Sequence, residues 1–76
     1  MSEYITTDII LASTLKVYGH RLTSITLNGN KGSFHFADVP DDLLMNFDLG
    51  KCLVEPLMFN NALKALTTSV KRLVKV

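Results

Sequence analysis

The chain has 76 residues, a net charge of +1 and a hydrophobic content of 47%. This length allows one domain, residues 1–76, and the hydrophobic content excludes a disordered chain. No apolar run approaches the ~20 residues that span a bilayer, and the first residues carry acids where a signal peptide carries bases. A single cysteine, Cys52, suits a reducing compartment and cannot form an internal disulfide. We therefore expect a soluble, cytoplasmic protein.

The first predicted element is a helix that begins at Thr6 or Thr7 and ends at Gly19. A threonine side chain can accept a hydrogen bond from the free amides of a first turn, and Asp8 would stabilise that turn. Glycine is favoured where a helix ends in a left-handed residue. The apolar face of this helix is formed by Ile9, Ile10, Ala12, Leu15 and Val17 or Tyr18.

Residues 22–37 predict a β-hairpin that is apolar on one side and polar on the other. Residues 29–32 would form a four-residue loop, and paired residues would then share a face of the ribbon. The pairs that this register predicts are Asn28 with Ser33, Leu27 with Phe34, Thr26 with His35, Ile25 with Phe36 and Ser24 with Ala37.

A short helix is predicted after Pro40, with Asp41 and Asp42 in its first turn and its end near Phe47, before Gly50. A longer helix then begins at Pro56, because the residue before a proline is disfavoured in a helix. Its apolar stripe, at spacings of three and four, is Phe59, Ala62, Leu63, Leu66, Val70 and Leu73. Its polar side is Asn60, Asn61, Lys64, Thr67, Lys71 and Lys75.

The predicted fold class is α+β, in the order helix, β-hairpin, short helix and long helix (αββα), with the helices packed on one face of a small antiparallel sheet. A two-stranded sheet is marginal in water and leaves two unpaired edges. Either residues 51–54 add a third strand, or a second copy pairs with the hairpin. We expect self-association into a homodimer, since small cores often need such support.

Four short motifs support a family resemblance that covers residues 4–73. They are Tyr4-x-Thr6-Thr7-Asp8, Gly19-His20-x-Leu22, Phe34-x-Phe36 and Val54-Glu55-Pro56-x-x-Phe59-x-x-Ala62-Leu63. Together they resemble a family of small uncharacterised domains of phages and bacteria, a domain of unknown function. The resemblance implies a fold and a viral or mobile-element origin, and it supplies no catalytic residue.

No residue pattern predicts a catalytic, cofactor or metal site. His20, His35 and Cys52 are separated by 15 and 17 residues, whereas zinc ligands pair at short spacing. Asp41 and Asp42 are adjacent on a helix, so their carboxylates point about 100° apart. We expect His35 on the polar ribbon face and Cys52 as a small buried hydrophobe. The chain is therefore not expected to be an enzyme.

The sequence favours a non-enzymatic accessory or protein-interaction module, with a second copy or another protein as its partner and no membrane contact. The alternative is nucleic-acid binding through a basic stripe on the last helix, formed by Lys64, Lys71, Arg72 and Lys75. This alternative is not favoured, because the stripe holds four charges and the polar ribbon face offers no aromatic side chain for stacking on bases. Ion pairs from Lys71 or Lys75 to Asp41, Asp42 or Asp48 would neutralise the stripe and weaken the alternative further.

Overall fold

A computed structural model of the chain describes residues 3–74. Its elements in chain order are β1 (Glu3–Thr6), α1 (Ile9–Val17), β2 (Leu22–Asn28), β3 (Lys31–Ala37), α2 (Asp41–Asp48) and α3 (Pro56–Val74). The predicted α+β class is confirmed, and the four predicted elements follow one another in the predicted order. One strand, β1, precedes them and was not predicted.

The three strands form an antiparallel sheet in the order β1-β3-β2, with β3 in the middle. Because β1 and β2 each run antiparallel to β3, they are parallel to one another at the two edges. The third strand therefore comes from Glu3–Thr6 and not from residues 51–54, which lie outside any strand. Strand β3 therefore has a neighbouring strand on each side, and its buried residues, Gly32, Phe34 and Phe36, alternate along it.

The hairpin register differs by two residues from the predicted one. The observed pairs are Asn28 with Lys31, Leu27 with Gly32, Thr26 with Ser33, Ile25 with Phe34, Ser24 with His35 and, after a bulge, Leu22 with Phe36. Gly29, with φ +68°, allows a tight two-residue turn of Gly29 and Asn30 in place of the predicted four-residue loop. Because side chains alternate with a period of two, this shift leaves the residues of the predicted pairs on their predicted faces, and the bulge brings Leu22 to the core side as well.

The N-cap of helix α1 lies one to two residues later than the predicted Thr6 or Thr7. Asp8 is its N-cap, and the carboxylate accepts hydrogen bonds from the N–H groups of Ile10 at 2.9 Å and Leu11 at 3.3 Å. The Thr6 hydroxyl accepts a bond from the Asp8 N–H at 3.0 Å, so it stabilises the turn before the helix. The acid predicted for the first turn is therefore the cap itself.

Glycines end α1 and α2, as predicted. Gly19 has φ +88°, and the N–H of His20 donates to the Leu15 carbonyl at 3.0 Å, which satisfies a free carbonyl of the last turn. His20 thus serves the helix end through its backbone. Gly50, with φ +72°, follows α2 in the same conformation.

The core lies between one face of the sheet and helices α1 and α3. Its most buried side chains are Leu11, Ala12, Leu15, Phe34, Phe36, Val39 and Leu66, with α2 contributing the partly buried Leu43, Leu44 and Phe47. Within the predicted stripe of α3, Leu66 is buried and Leu73 is 41% exposed. The last turn of α3 therefore extends beyond the core. Within residues 3–74, the core contacts place no helix on the opposite face of the sheet.

Candidate interaction surfaces

Strand β2 is a sheet edge with no charged residue and no proline between Leu22 and Asn28. Natural edge strands are usually protected by lysine, by proline or by being short. The two-residue turn makes Asn28 and Lys31 a hydrogen-bonded pair, so the adjacent pair at Leu27 is non-hydrogen-bonded. The N–H and C=O groups of Leu27 and Ile25 therefore point away from β3. This edge can receive a further strand.

A second surface consists of exposed apolar side chains between residues 45 and 58. The exposed fraction of each lies between 54% and 85%, and we name the set of Met45, Leu49, Leu53, Leu57 and Met58 the α2–α3 apolar set. Large exposed apolar area is typical of interaction sites. The same segment carries the exposed acids Asp48 and Glu55, with Lys51 as its one base.

Tyr18 fixes the segment that joins α2 to α3. Its hydroxyl donates to the Leu53 carbonyl at 2.9 Å and accepts from the Leu53 N–H at 3.1 Å. The neighbouring Cys52 is half-buried rather than buried, and its thiol donates to the Leu43 carbonyl with the sulfur 3.8 Å from the oxygen. The backbone at Leu53 is therefore held in place while its side chain is 85% exposed.

His35 connects all three strands across the open sheet face, where the sequence predicts it. Its Nε2 atom lies 3.0 Å from the Thr26 Oγ1 on β2, and its Nδ1 atom lies 3.1 Å from the Glu3 Oε2 on β1. A neutral ring with its proton on Nδ1 would donate to Glu3 and accept from Thr26. These contacts leave the His35 side chain only 15% exposed on the helix-free face.

The order carboxylate, imidazole and hydroxyl also occurs in nucleophilic hydrolases. Such enzymes need amide donors aimed at the developing oxyanion. Here Thr26 and Ser33 are a hydrogen-bonded pair of the ladder, so their N–H groups are occupied by each other's carbonyls. The arrangement therefore fits a bridge between strands better than a catalytic group.

His35→Ala is expected to lower the free energy of unfolding by about 1–2 kcal/mol, because two hydrogen bonds of a mostly buried ring are lost. Urea unfolding followed by far-UV circular dichroism measures this change. Ser33→Ala, on the same face of β3, is the control and should stay within about 0.5 kcal/mol of wild type. Equal stabilities for the two variants would contradict the bridging role of His35.

The basic stripe of α3 is exposed over the part that the structure describes. Lys64, Lys71 and Arg72 lie on the helix surface, and Lys75 lies outside the described residues. Within residues 3–74, no salt bridge joins these cations to Asp41, Asp42 or Asp48. The pairing that would neutralise the stripe is therefore not formed there.

The fold brings Lys31 and Lys71, 40 residues apart in the chain, to one cleft beside the β2–β3 turn. The cleft has a volume of about 320 Å³, and Asn30 lies on its lining with the two lysines. The sequence places Lys31 in the predicted hairpin loop and Lys71 in the basic stripe of the last helix. No local pattern connects it to Lys71, because their proximity depends on how α3 crosses the sheet.

Two further structural findings concern ligands and membranes. Across residues 3–74, no three side chains of His, Cys, Asp or Glu form a group that could hold a metal ion. No helix in this range is both long enough and apolar enough to cross a bilayer.

The chain matches no protein-family model, no curated protein and no solved structure.

Proposed function

We propose that the protein is a small non-catalytic interaction module that forms a homodimer by pairing the β2 edges of two copies. The observation that carries this proposal is the seven-residue edge strand without charge or proline. Such an edge presents unpaired backbone donors and acceptors to any strand that approaches it. A phage or bacterial origin, implied by the family resemblance, stays a prediction.

A second copy is the partner that suits this edge, because antiparallel pairing of a strand with itself obeys a two-fold axis. Leu27 and Ile25 each point a backbone N–H donor and a C=O acceptor away from β3. In an antiparallel pair, each N–H would donate to a C=O of the other copy. Since β2 carries no charge, two copies do not repel each other along the strand. A two-fold axis perpendicular to the sheet would give six continuous strands with all helices on one face.

Leu27→Pro is expected to convert the dimer to a monomer, as measured by light scattering. The Leu27 N–H points away from β3, so proline removes a bond to the second copy and none within the sheet. Thr26, which precedes it, keeps the extended conformation that a residue before proline prefers. Leu27→Ala removes the side chain, retains the N–H and should remain dimeric.

Two results would contradict this interface. The wild-type protein could be monomeric up to several hundred micromolar, or a Leu27→Pro variant with native circular dichroism could remain dimeric. Leu53→Asp together with Leu57→Asp tests the α2–α3 apolar set as the other surface. If the Leu27→Pro variant remains dimeric and the double variant is monomeric, the interface lies at the α2–α3 apolar set, and β2 pairing is wrong.

The α2–α3 apolar set supports the accessory part of the proposal, in which the module contacts another protein. Five exposed large side chains with acids beside them suit a partner surface that is apolar and bordered by basic residues. This second contact leaves β2 pairing unaffected, because its residues belong to other elements.

Nucleic-acid binding through Lys64, Lys71, Arg72 and Lys75 is the alternative function. It is supported by the absence, within residues 3–74, of salt bridges from the first three to the α2 acids, and by Lys31 at the cleft of Lys71. Light scattering with mixed DNA and RNA oligonucleotides tests it alongside the dimer. If the alternative holds, the solution mass of the protein should increase with oligonucleotide at low salt and return to that of the protein alone at high salt. An unchanged mass at low salt rejects it.

A further inference from the structure

The cleft beside the β2–β3 turn combines an apolar wall with two lysines at its mouth. Ile9, Phe34 and Val70 are buried or half-buried lining residues, whereas Lys31 and Lys71 are exposed. An adjoining space of about 530 Å³ continues the cleft along the last turn of α3 to Val74. Volumes of a few hundred Å³ with apolar walls and a few polar groups are typical of small-molecule sites.

The charge at the mouth of the cleft is positive and unopposed by the described lining residues, none of which is acidic. One acid, Asp8, lies between the lining residues Thr7 and Ile9 in the sequence. Its carboxylate already accepts the first-turn amides of α1 at 2.9 and 3.3 Å. Two ammonium groups beside an apolar surface favour the binding of an anion that is attached to a hydrocarbon chain.

Gly32 gives the cleft its shape. It lies on the core side of β3, and a Cβ atom there would be 2.9 Å from the Val70 Cγ2. The missing side chain therefore lets the turn approach α3 closely, so that Lys31 and Lys71 share one mouth. A larger residue at position 32 would separate the hairpin from α3.

We infer that this cleft binds a small amphiphile whose anionic head group, a carboxylate or a phosphate, is attached to a hydrocarbon chain. The head group lies between Lys31 and Lys71, where the Asn30 amide can also donate a hydrogen bond. The chain covers the surface of Ile9 and Val70 and extends towards Val74. This inference does not depend on dimer formation or on nucleic-acid binding.

Titration of ¹⁵N-labelled protein with decanoate and with decyl phosphate, each below its micelle concentration, tests the inference. Saturable chemical-shift changes are expected at the amides of residues 30–32 and 70–71 with at least one probe, and the tighter probe identifies the head group. Decanol supplies the chain without the charge, and acetate and inorganic phosphate supply the charge without the chain. All three are expected to bind at least tenfold more weakly.

Lys31→Gln and Lys71→Gln should each weaken binding about two- to fivefold, as expected for an exposed ion pair. Lys64→Gln changes another lysine of α3 that does not line the cleft, so it should leave the affinity unchanged. The inference is overturned if decanol binds as tightly as both charged probes, if all three lysine variants weaken binding equally, or if neither charged probe shifts these amides. A free head-group ion that binds as tightly as its decyl form would reveal a simple anion site and also reject the amphiphile.

Discussion

Phe36→Ala is expected to lower the free energy of unfolding by about 3–5 kcal/mol, the range for removing a buried aromatic ring from a core. Phe36 has no exposed surface and lies on the central strand, with Tyr4 of β1 and Leu22 of β2 as its cross-strand neighbours. Its ring therefore joins both edge strands to the helical layer. Because small domains are stabilised by about 5–15 kcal/mol in total, this one change removes a large share. Urea unfolding followed by circular dichroism gives the value.

Two further variants make this result interpretable. Phe36→Leu keeps most of the volume and should retain a measurable transition if the alanine variant is unfolded. Phe47→Ala removes the same ring from α2, where the side chain is only partly buried, so the loss should be smaller. A loss below about 1 kcal/mol for Phe36→Ala would mean that the ring is not part of the core.

Gly32→Ala is expected to cost about 1–3 kcal/mol, because an added methyl group would overpack the contact between β3 and α3. The new Cβ atom would lie 2.9 Å from the Val70 Cγ2 and 3.5 Å from its Cγ1. Valine is short and branched, so it cannot move aside by rotating a distant bond. Urea unfolding of the single variant, compared with wild type and with Ser33→Ala, measures the loss.

A double-mutant cycle identifies the cause of that loss. Val70→Ala removes both methyl groups that the new side chain would meet, so Gly32→Ala should cost clearly less in a Val70→Ala background. Additive losses would show that the side chain of Val70 is not the obstacle. In the predicted four-residue loop, Gly32 would lie outside the strand.

In the hairpin, the sequence predicts the faces of the strands but not their register. Alternation identifies which residues of 24–28 and 33–37 face the core, and these faces are confirmed by the structure, whereas the bulge that brings Leu22 to the core side is not predicted by alternation. Registers that differ by two residues bury the same side chains, so the pattern cannot choose between them. The choice depends on the conformation of Gly29 and on the close approach of Gly32 to Val70, a contact between residues 38 apart in sequence.

The added strand has a different explanation. Glu3–Thr6 has the sequence Glu-Tyr-Ile-Thr, which lacks an alternation of polar and apolar side chains, although its burial does alternate. Four residues are also too few for a pattern to distinguish a strand from the start of a helix. Its place beside β3 is fixed by Tyr4 in the core and by Glu3 at His35. Both contacts join residues about 32 apart, beyond the reach of local patterns. The cleft likewise depends on residues far apart in the sequence, because Lys31 and Lys71 are separated by 40 positions.

The strand order β1-β3-β2 also determines when the sheet can be completed as the chain is synthesised. Strand β1 leaves the ribosome before its partner β3, which follows about 30 residues later, after α1 and β2. The β2–β3 hairpin closes a two-residue loop, so its entropic cost of loop closure is small. Pairing of β1 with β3 closes a much longer loop and costs more entropy. We therefore expect β1, although it is synthesised before the hairpin, to join the sheet after the hairpin has formed, and until then β3 has one exposed edge.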